Sequence, residues 1–373
     1  MPEQPLLRLT PPAARYPLLD LLRFGAASMV MLLHLTVAVG GSERFSSLHS
    51  LPILGFLALN GNYGVQIFFV ISGFIICHSM QNRGGFEFLF KRVVRIFPGL
   101  IVAVLICILV GNHFITPYDN PFGSFLGGII LLEEELGVQR VVTQAWTLEW
   151  EIIFYCMIGL VIFAFNGKIV SAKELSKTLT VYVLYLLGLQ PFFPQWVNEI
   201  LAIGGYGSLF ALGLWLAVLS ESLPARRLKD GIWTRQEVAS VVYPAILCMC
   251  LYFHNVEFNF NKISLLLLIS CLAILASPRC SIPGPQLWLS NIIGTLGLAS
   301  YLVYLLHAQC GETIINLTHK HIIPNNYIAL IFGCAGVVFL SVGITLLVER
   351  PIQRFLLSAP SLVRARWDSR IRY

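Results

Sequence analysis

Ten apolar runs, most near the length that crosses a bilayer, divide this 373-residue chain and leave little of it for anything else. A hydrocarbon core of about 30 Å needs about 20 residues of helix. Runs over 17–40, 60–80, 93–111, 147–165, 179–190, 200–219, 237–253, 263–277, 288–310 and 326–348 approach that length, the fifth and eighth being short. Composition agrees: the chain is 57% hydrophobic and 12% charged, against about 45–50% and 25% in soluble domains. The expected fold is all-α, a polytopic integral membrane protein of about ten transmembrane helices. A weaker run over 122–132 is too short to cross unaided and is expected to re-enter or lie along the surface.

Charge sets the expected orientation. With the N-terminus in the cytoplasm, the inside loops hold most of the 25 basic residues; the outside holds only Arg44, Arg140, Lys262 and Lys320, and Arg23 lies within the first span. An odd number of spans would scramble this asymmetry. The expected organisation is a cytoplasmic N-terminal segment over 1–16, a membrane domain over 17–357, and a basic cytoplasmic tail over 358–373. The net charge of +6 is spread between apolar runs, which reads as topology signals and phosphate ligands rather than nucleic-acid binding. The nine cysteines include no CxxC pair and no metal-spaced cluster, so they are expected to be small packing residues, with no metal site. The N-terminus has no cleavable signal pattern.

The first span carries an arginine and a histidine. Arg23 and His34 are 11 positions apart; on an α-helix that is about 20° past three full turns and about 16 Å along the axis, so both occupy one face. Ionisable groups inside a spanning helix are costly, which makes them functional candidates. The plainer alternative is that Arg23 snorkels to headgroups while His34 bonds a neighbouring helix.

Four further clusters stand out. Arg92 and Arg95, spaced i, i+3 at the start of the third span, form either a bidentate phosphate clamp or a positive-inside anchor. Trp146 opens the fourth span; Glu151 and Tyr155, at i, i+4, point the same way, Glu151 being either structural or catalytic. In the ninth, Tyr301, Tyr304 and His307 fall at helical spacing and either line a cavity or join helices. Glu349, closing the last span, is expected to pair with an arginine. Between them, Ser72 and Gly73 read as a hydrogen bond across helices and a close backbone approach.

Together these segments resemble the acyltransferase-3 family of integral-membrane acyltransferases. The matching elements are Arg23 with His34, the string Phe68-Phe69-Val70-Ile71-Ser72-Gly73-Phe74, Arg92-x-x-Arg95 with Pro98, Trp146-x-Leu148-x-x-Glu151-x-x-Phe154-Tyr155, Ser300-Tyr301-x-x-Tyr304-x-x-His307, and Glu349-x-Pro351. They stand in the family's order over nearly the whole chain; Thr147 replaces a frequent serine and keeps the hydroxyl. The resemblance implies ten core spans and transfer of an acyl group, commonly acetyl, from cytoplasmic acyl-CoA to a hydroxyl of a cell-envelope or secreted glycan or glycolipid. It implies the inner (plasma) membrane of a bacterium. Some members append an extracytoplasmic hydrolase-like domain; this chain ends soon after Glu349, so either it acylates its acceptor directly or a separate acyl-carrier or glycan-assembly protein completes the transfer.

On that reading His34 is a general base or the site of a covalent acyl relay, since neutral imidazole suits both. Arg92 and Arg95 hold the CoA phosphates, and Arg23 faces the cofactor or cavity. Glu151 and Tyr155 orient His34 or the acceptor, and Trp146, Tyr301, Tyr304 and His307 line the cavity. The competing class is a transporter of a glycan or small solute, since buried charge also suits transport; no repeated half with matching interruptions supports it.

Overall fold

The computed structural model describes residues 16–38, 42–80, 84–164, 190–201, 203, 205–222, 269–274 and 287–358, with Tyr182 and Tyr185. All regular structure among these residues is helical. The main elements are α1 (Pro17–Leu33), α2 (Tyr63–Met80), α3 (Gly85–Phe114), α4 (Pro121–Ile130), α5 (Trp146–Ala164), α6 (Gly207–Ser222), α7 (Leu287–His321) and α8 (Asn326–Ile344). Six stretches among the described residues are long and apolar enough to cross a membrane: Pro17–Val37, Tyr63–Met80, Gly85–Phe114, Thr143–Ala164, Trp288–His321 and Asn326–Ser358. They correspond to the first four and last two expected runs. The sixth expected run holds α6. The runs at 179–190, 237–253 and 263–277 lie mostly or wholly outside the described residues, as do 1–15 and 359–373.

Two helices outlast the apolar runs that announced them. α3 has 30 residues and α7 has 35, about 45 and 52 Å of helix. Hydropathy marks the stretch that lies in hydrocarbon; backbone hydrogen bonding carries the helix on into more polar sequence. The run at 122–132 gives α4, ten residues long and too short to cross. Asn120 caps it, accepting from the Gly123 N–H at 2.9 Å, and the helix stops where Leu131 turns left-handed at φ 59°. Both α1 and α8 end in a π-helical turn, His34–Ala38 and Thr345–Glu349. Such turns are rare and are frequently found at functional sites.

The chain divides into two packed units. One draws on residues from Met1–Ala26, Tyr63–Phe88 and Glu149–Gly294. Its core is α2 against α6, and α6 is buried on every face from Gly207 to Val218. In lipid, helices associate through packing and polar ties rather than by escaping water, so small residues at the contact matter. Gly73 and Gly213 supply them: a Cβ on Gly73 would strike the backbone oxygen of Phe210, and one on Gly213 that of Val70. Phe154 stacks on Phe210 with ring centres 4.0 Å apart, and Phe69 meets the same ring at 4.8 Å.

The second unit draws on residues from Ala27–Asn62, Leu89–Leu148 and Thr295–Tyr373. Leu35 packs onto Gly311 of α7, and Ile315 packs onto Gly333 of α8. Pro98 interrupts the ladder of α3, because it has no N–H to give Val94. Side chains from elsewhere brace that turn: Tyr301 donates to the carbonyl of Ile96 at 3.0 Å and Gln353 to that of Arg95 at 3.2 Å. Gly99 leaves room for the Tyr301 ring, which comes within 2.7 Å of where a Cβ would stand. At the other end of α3, Gln309 donates its amide to the Tyr118 hydroxyl at 2.6 Å; burial raises that phenol above its ordinary value and keeps it protonated.

Candidate active site

The second unit gathers His34, Gln144, Thr147, Tyr304 and His307. Nδ1 of His34 lies 3.0 Å from Nε2 of His307. Each ring also meets a backbone carbonyl one turn back in its own helix: His34 Nδ1 is 3.0 Å from the oxygen of Val30, and His307 Nδ1 is 3.2 Å from that of Val303. A carbonyl only accepts, so in the neutral pair both Nδ1 atoms carry the hydrogen. The contact between the rings is then fixed in direction. His34 donates through Nδ1, sharing its hydrogen between Val30 and His307, and His307 accepts at Nε2. The lone pair of His34 therefore sits on Nε2, which has no hydrogen-bond partner among the described residues.

His307 is wholly buried and His34 half-buried, so the first ring is the fixed member and the second the reachable one. Gln144 reinforces the arrangement, its amide nitrogen standing 3.5 Å from His307 Nε2. Gln144 belongs to a short turn before α5, and its carbonyl accepts from the hydroxyl of Tyr304 at 3.2 Å. Thr147 in turn donates to that hydroxyl at 3.2 Å. Each polar group in this buried knot has a partner, as burial demands.

A second cluster in the same unit centres on Glu349, which is wholly buried. Its carboxylate accepts from Arg95 at 3.1 Å, from Gln353 at 2.9 Å and from Thr345 at 3.3 Å. The Arg95 guanidinium also lies 5.9 Å from the centre of the Tyr301 ring. Arg92, one turn before Arg95 on the same helix face, is half-buried.

The first unit holds the remaining acid. Glu151 accepts from Ser72 at 3.0 Å and from Tyr155 on its own helix. Of the expected site residues, then, His34, Tyr304 and His307 come together, and Tyr301 lies with Arg95 and Glu349. Glu151 pairs with Tyr155 and with Ser72. Arg23 is half-buried on the stretch of α1 that belongs to the first unit, and Trp146 is half-buried at the start of α5.

Sequence reading missed Gln144. It lies in the short polar step Thr143-Gln144 just ahead of Trp146, and a buried amide beside a motif is the signal that marks it. It also missed the carbonyls of Val30 and Val303, which no side-chain pattern announces.

The family described as an acyltransferase domain matches residues 16–346. The chain belongs to the acyltransferase-3 family. Nodulation protein 10 of Rhizobium leguminosarum bv. viciae is 37% identical over 94 residues, which cover 23% of this chain and 23% of that protein. The chain thus matches less than a quarter of that relative's length. No solved structure matches it. In this acyltransferase-3 chain the family match spans the histidine pair, Gln144 and Arg95, and stops three residues short of Glu349.

Proposed function

We propose that the protein is a membrane O-acyltransferase that moves an acyl group, acetyl being the simplest, from cytoplasmic acyl-CoA to a hydroxyl of a cell-envelope or secreted glycan or glycolipid. The observation that carries this reading is the directed hydrogen bond from His34 Nδ1 to His307 Nε2, which leaves His34 with a base at Nε2. Family membership supports acyl transfer over solute transport.

The acceptor hydroxyl attacks the thioester carbonyl while His34 Nε2 takes its proton. The tetrahedral oxyanion collapses, the C–S bond breaks, and the CoA thiolate recovers the proton from the imidazolium. His307 accepts the Nδ1 hydrogen throughout, so it fixes the tautomer and ring angle of His34 and shares its positive charge. This is the division of labour between base and orienting residue seen in catalytic triads, with a buried imidazole in the orienting place. The covalent variant has Nε2 attack the thioester itself, expelling the thiolate and holding the acyl group as an acyl-imidazolium; the acceptor hydroxyl then takes the acyl group, Nε2 leaves as neutral imidazole, and the hydroxyl proton passes through solvent to the CoA thiolate. That variant suits a donor and an acceptor that approach from opposite sides of the bilayer.

Arg92 and Arg95 are assigned to the CoA phosphates, Arg95 being set in place by Glu349, with Arg23 toward the cofactor. Glu151, Tyr155 and Trp146 are assigned to acceptor orientation. The setting is the inner membrane of a bacterium, with both termini cytoplasmic, and a separate glycan-assembly or acyl-carrier protein is a natural partner for a chain of this kind. The test compares envelope and secreted glycans from a deletion strain by mass. Loss of one acyl increment, restored by the wild-type gene and not by His34→Ala, is the expected result. Unchanged glycans, with the protein shown to be present in the parent strain, would remove the assignment.

A further inference from the structure

Glu133 is 1% exposed, and neither carboxylate oxygen has a hydrogen-bond partner among the described residues. Its location makes this more costly. Leu131 turns the chain back on itself after α4, and the Glu133 side chain lies against the last turn of that helix. Its Cγ is 3.2 Å from where a Cβ of Gly127 would stand, and Oε1 is 3.5 Å from where one of Gly128 would stand. Val104 of α3 faces the same point, its methyl carbons 3.1 and 3.2 Å from where the Gly128 Cβ would stand. The C-terminal end of a helix carries partial negative charge, which repels a carboxylate. A buried carboxylate either takes up a proton or needs a compensating cation or donors, and no described side chain hydrogen-bonds this one. Arg140, the nearest arginine in sequence, pairs at 3.3 Å with the exposed Glu134.

A second group shares this state. Ser124, one turn before Gly128 on the same face of α4, is wholly buried, and its hydroxyl also has no partner. A carboxylate and a hydroxyl oxygen, both buried and without a partner among the described residues, thus lie along the last two turns of α4, whose C-terminal end is itself partly negative, and all three attract positive charge. Glu134 and Glu135 are exposed, so Glu133 is the one buried carboxyl of this segment, and when ionised it adds a single negative charge. A monovalent ion leaves the site neutral, whereas a divalent ion would leave a net charge in an apolar surround. Full burial fits a small ion and not a sugar.

We propose that Glu133 and Ser124 bind one monovalent cation, Na⁺ or K⁺, beneath the end of α4. The experiment is thermal unfolding of the full chain, purified in detergent, titrated with NaCl, KCl or choline chloride at matched ionic strength. The expected result is a saturable rise in the midpoint of roughly 2–5 °C with Na⁺ or K⁺ over choline, absent in Glu133→Gln. Equal midpoints in all three salts would overturn the proposal, as would a full response in Glu133→Gln. Should that variant fail to accumulate, Ser124→Ala decides: a higher half-saturating concentration supports the site, and an unchanged one overturns it. The readout involves no acyl transfer, so it stands or falls apart from the catalytic assignment.

Discussion

Nε2 of His307 accepts from Nδ1 of His34 at 3.0 Å, across 273 residues of sequence. The donor is pinned by Val30 and the acceptor by Val303, so the contact has a direction, and that direction decides which nitrogen can serve as a base.

His34→Ala is expected to lower acyl transfer by at least 10³-fold with unchanged membrane insertion, because positioned general bases contribute about 10²–10⁴-fold and nucleophiles more. Radiolabel transfer from acetyl-CoA in detergent-solubilised membranes measures it. Activity within threefold of wild type would take His34 out of the chemistry.

For His307, the informative comparison is between two substitutions. Glutamine can offer an amide oxygen where Nε2 accepts, while leucine cannot. His307→Gln is expected to keep about a tenth of wild-type kcat and His307→Leu less than a hundredth, with KM for acyl-CoA little changed in both. Equal losses would mean that the ring is needed for packing alone.

Arg92 and Arg95 are expected to behave differently. Arg92→Ala should raise KM for acyl-CoA about tenfold or more at nearly constant stability. Arg95→Ala leaves the buried Glu349 carboxylate without its cation, which costs about 3 kcal/mol or more and lowers the melting midpoint. Adding Glu349→Gln to Arg95→Ala should recover most of that midpoint, because an amide is cheaper to bury than a lone carboxylate. A double variant no more stable than Arg95→Ala would show that the ion pair is not what holds the turn.

Gly73→Leu should prevent α2 from approaching α6, since even a Cβ collides with the Phe210 backbone, which cannot move as a side chain can. Overpacking of this kind costs about 1–3 kcal/mol or more. The expected outcome is a protein that inserts but is rapidly lost, read by pulse-chase in membranes. Gly84→Ala, where nothing lies within 4 Å of the added carbon, is the neutral control.

The spans at α1, α2, α3, α5, α7 and α8 were legible in the sequence because hydropathy over about 20 residues is a local property. So was the shared face of Glu151 and Tyr155, which is helical spacing and nothing more. Their ties to other helices were legible only as types of residue. Ser72 was a hydroxyl free to bond somewhere, and Glu349 an acid in need of an arginine. That the partners are Glu151 and Arg95 follows from packing.

The residues alone determined that this is a helical membrane chain with an imidazole in its first span, since composition and periodicity act within one helix. The tertiary structure decided what that imidazole can do. A tautomer is set by neighbouring donors and acceptors, and those of His34 lie on a carbonyl one turn away and on a ring near the other end of the chain. The π turn at His34–Ala38 belongs to the same class: no spacing rule reports it.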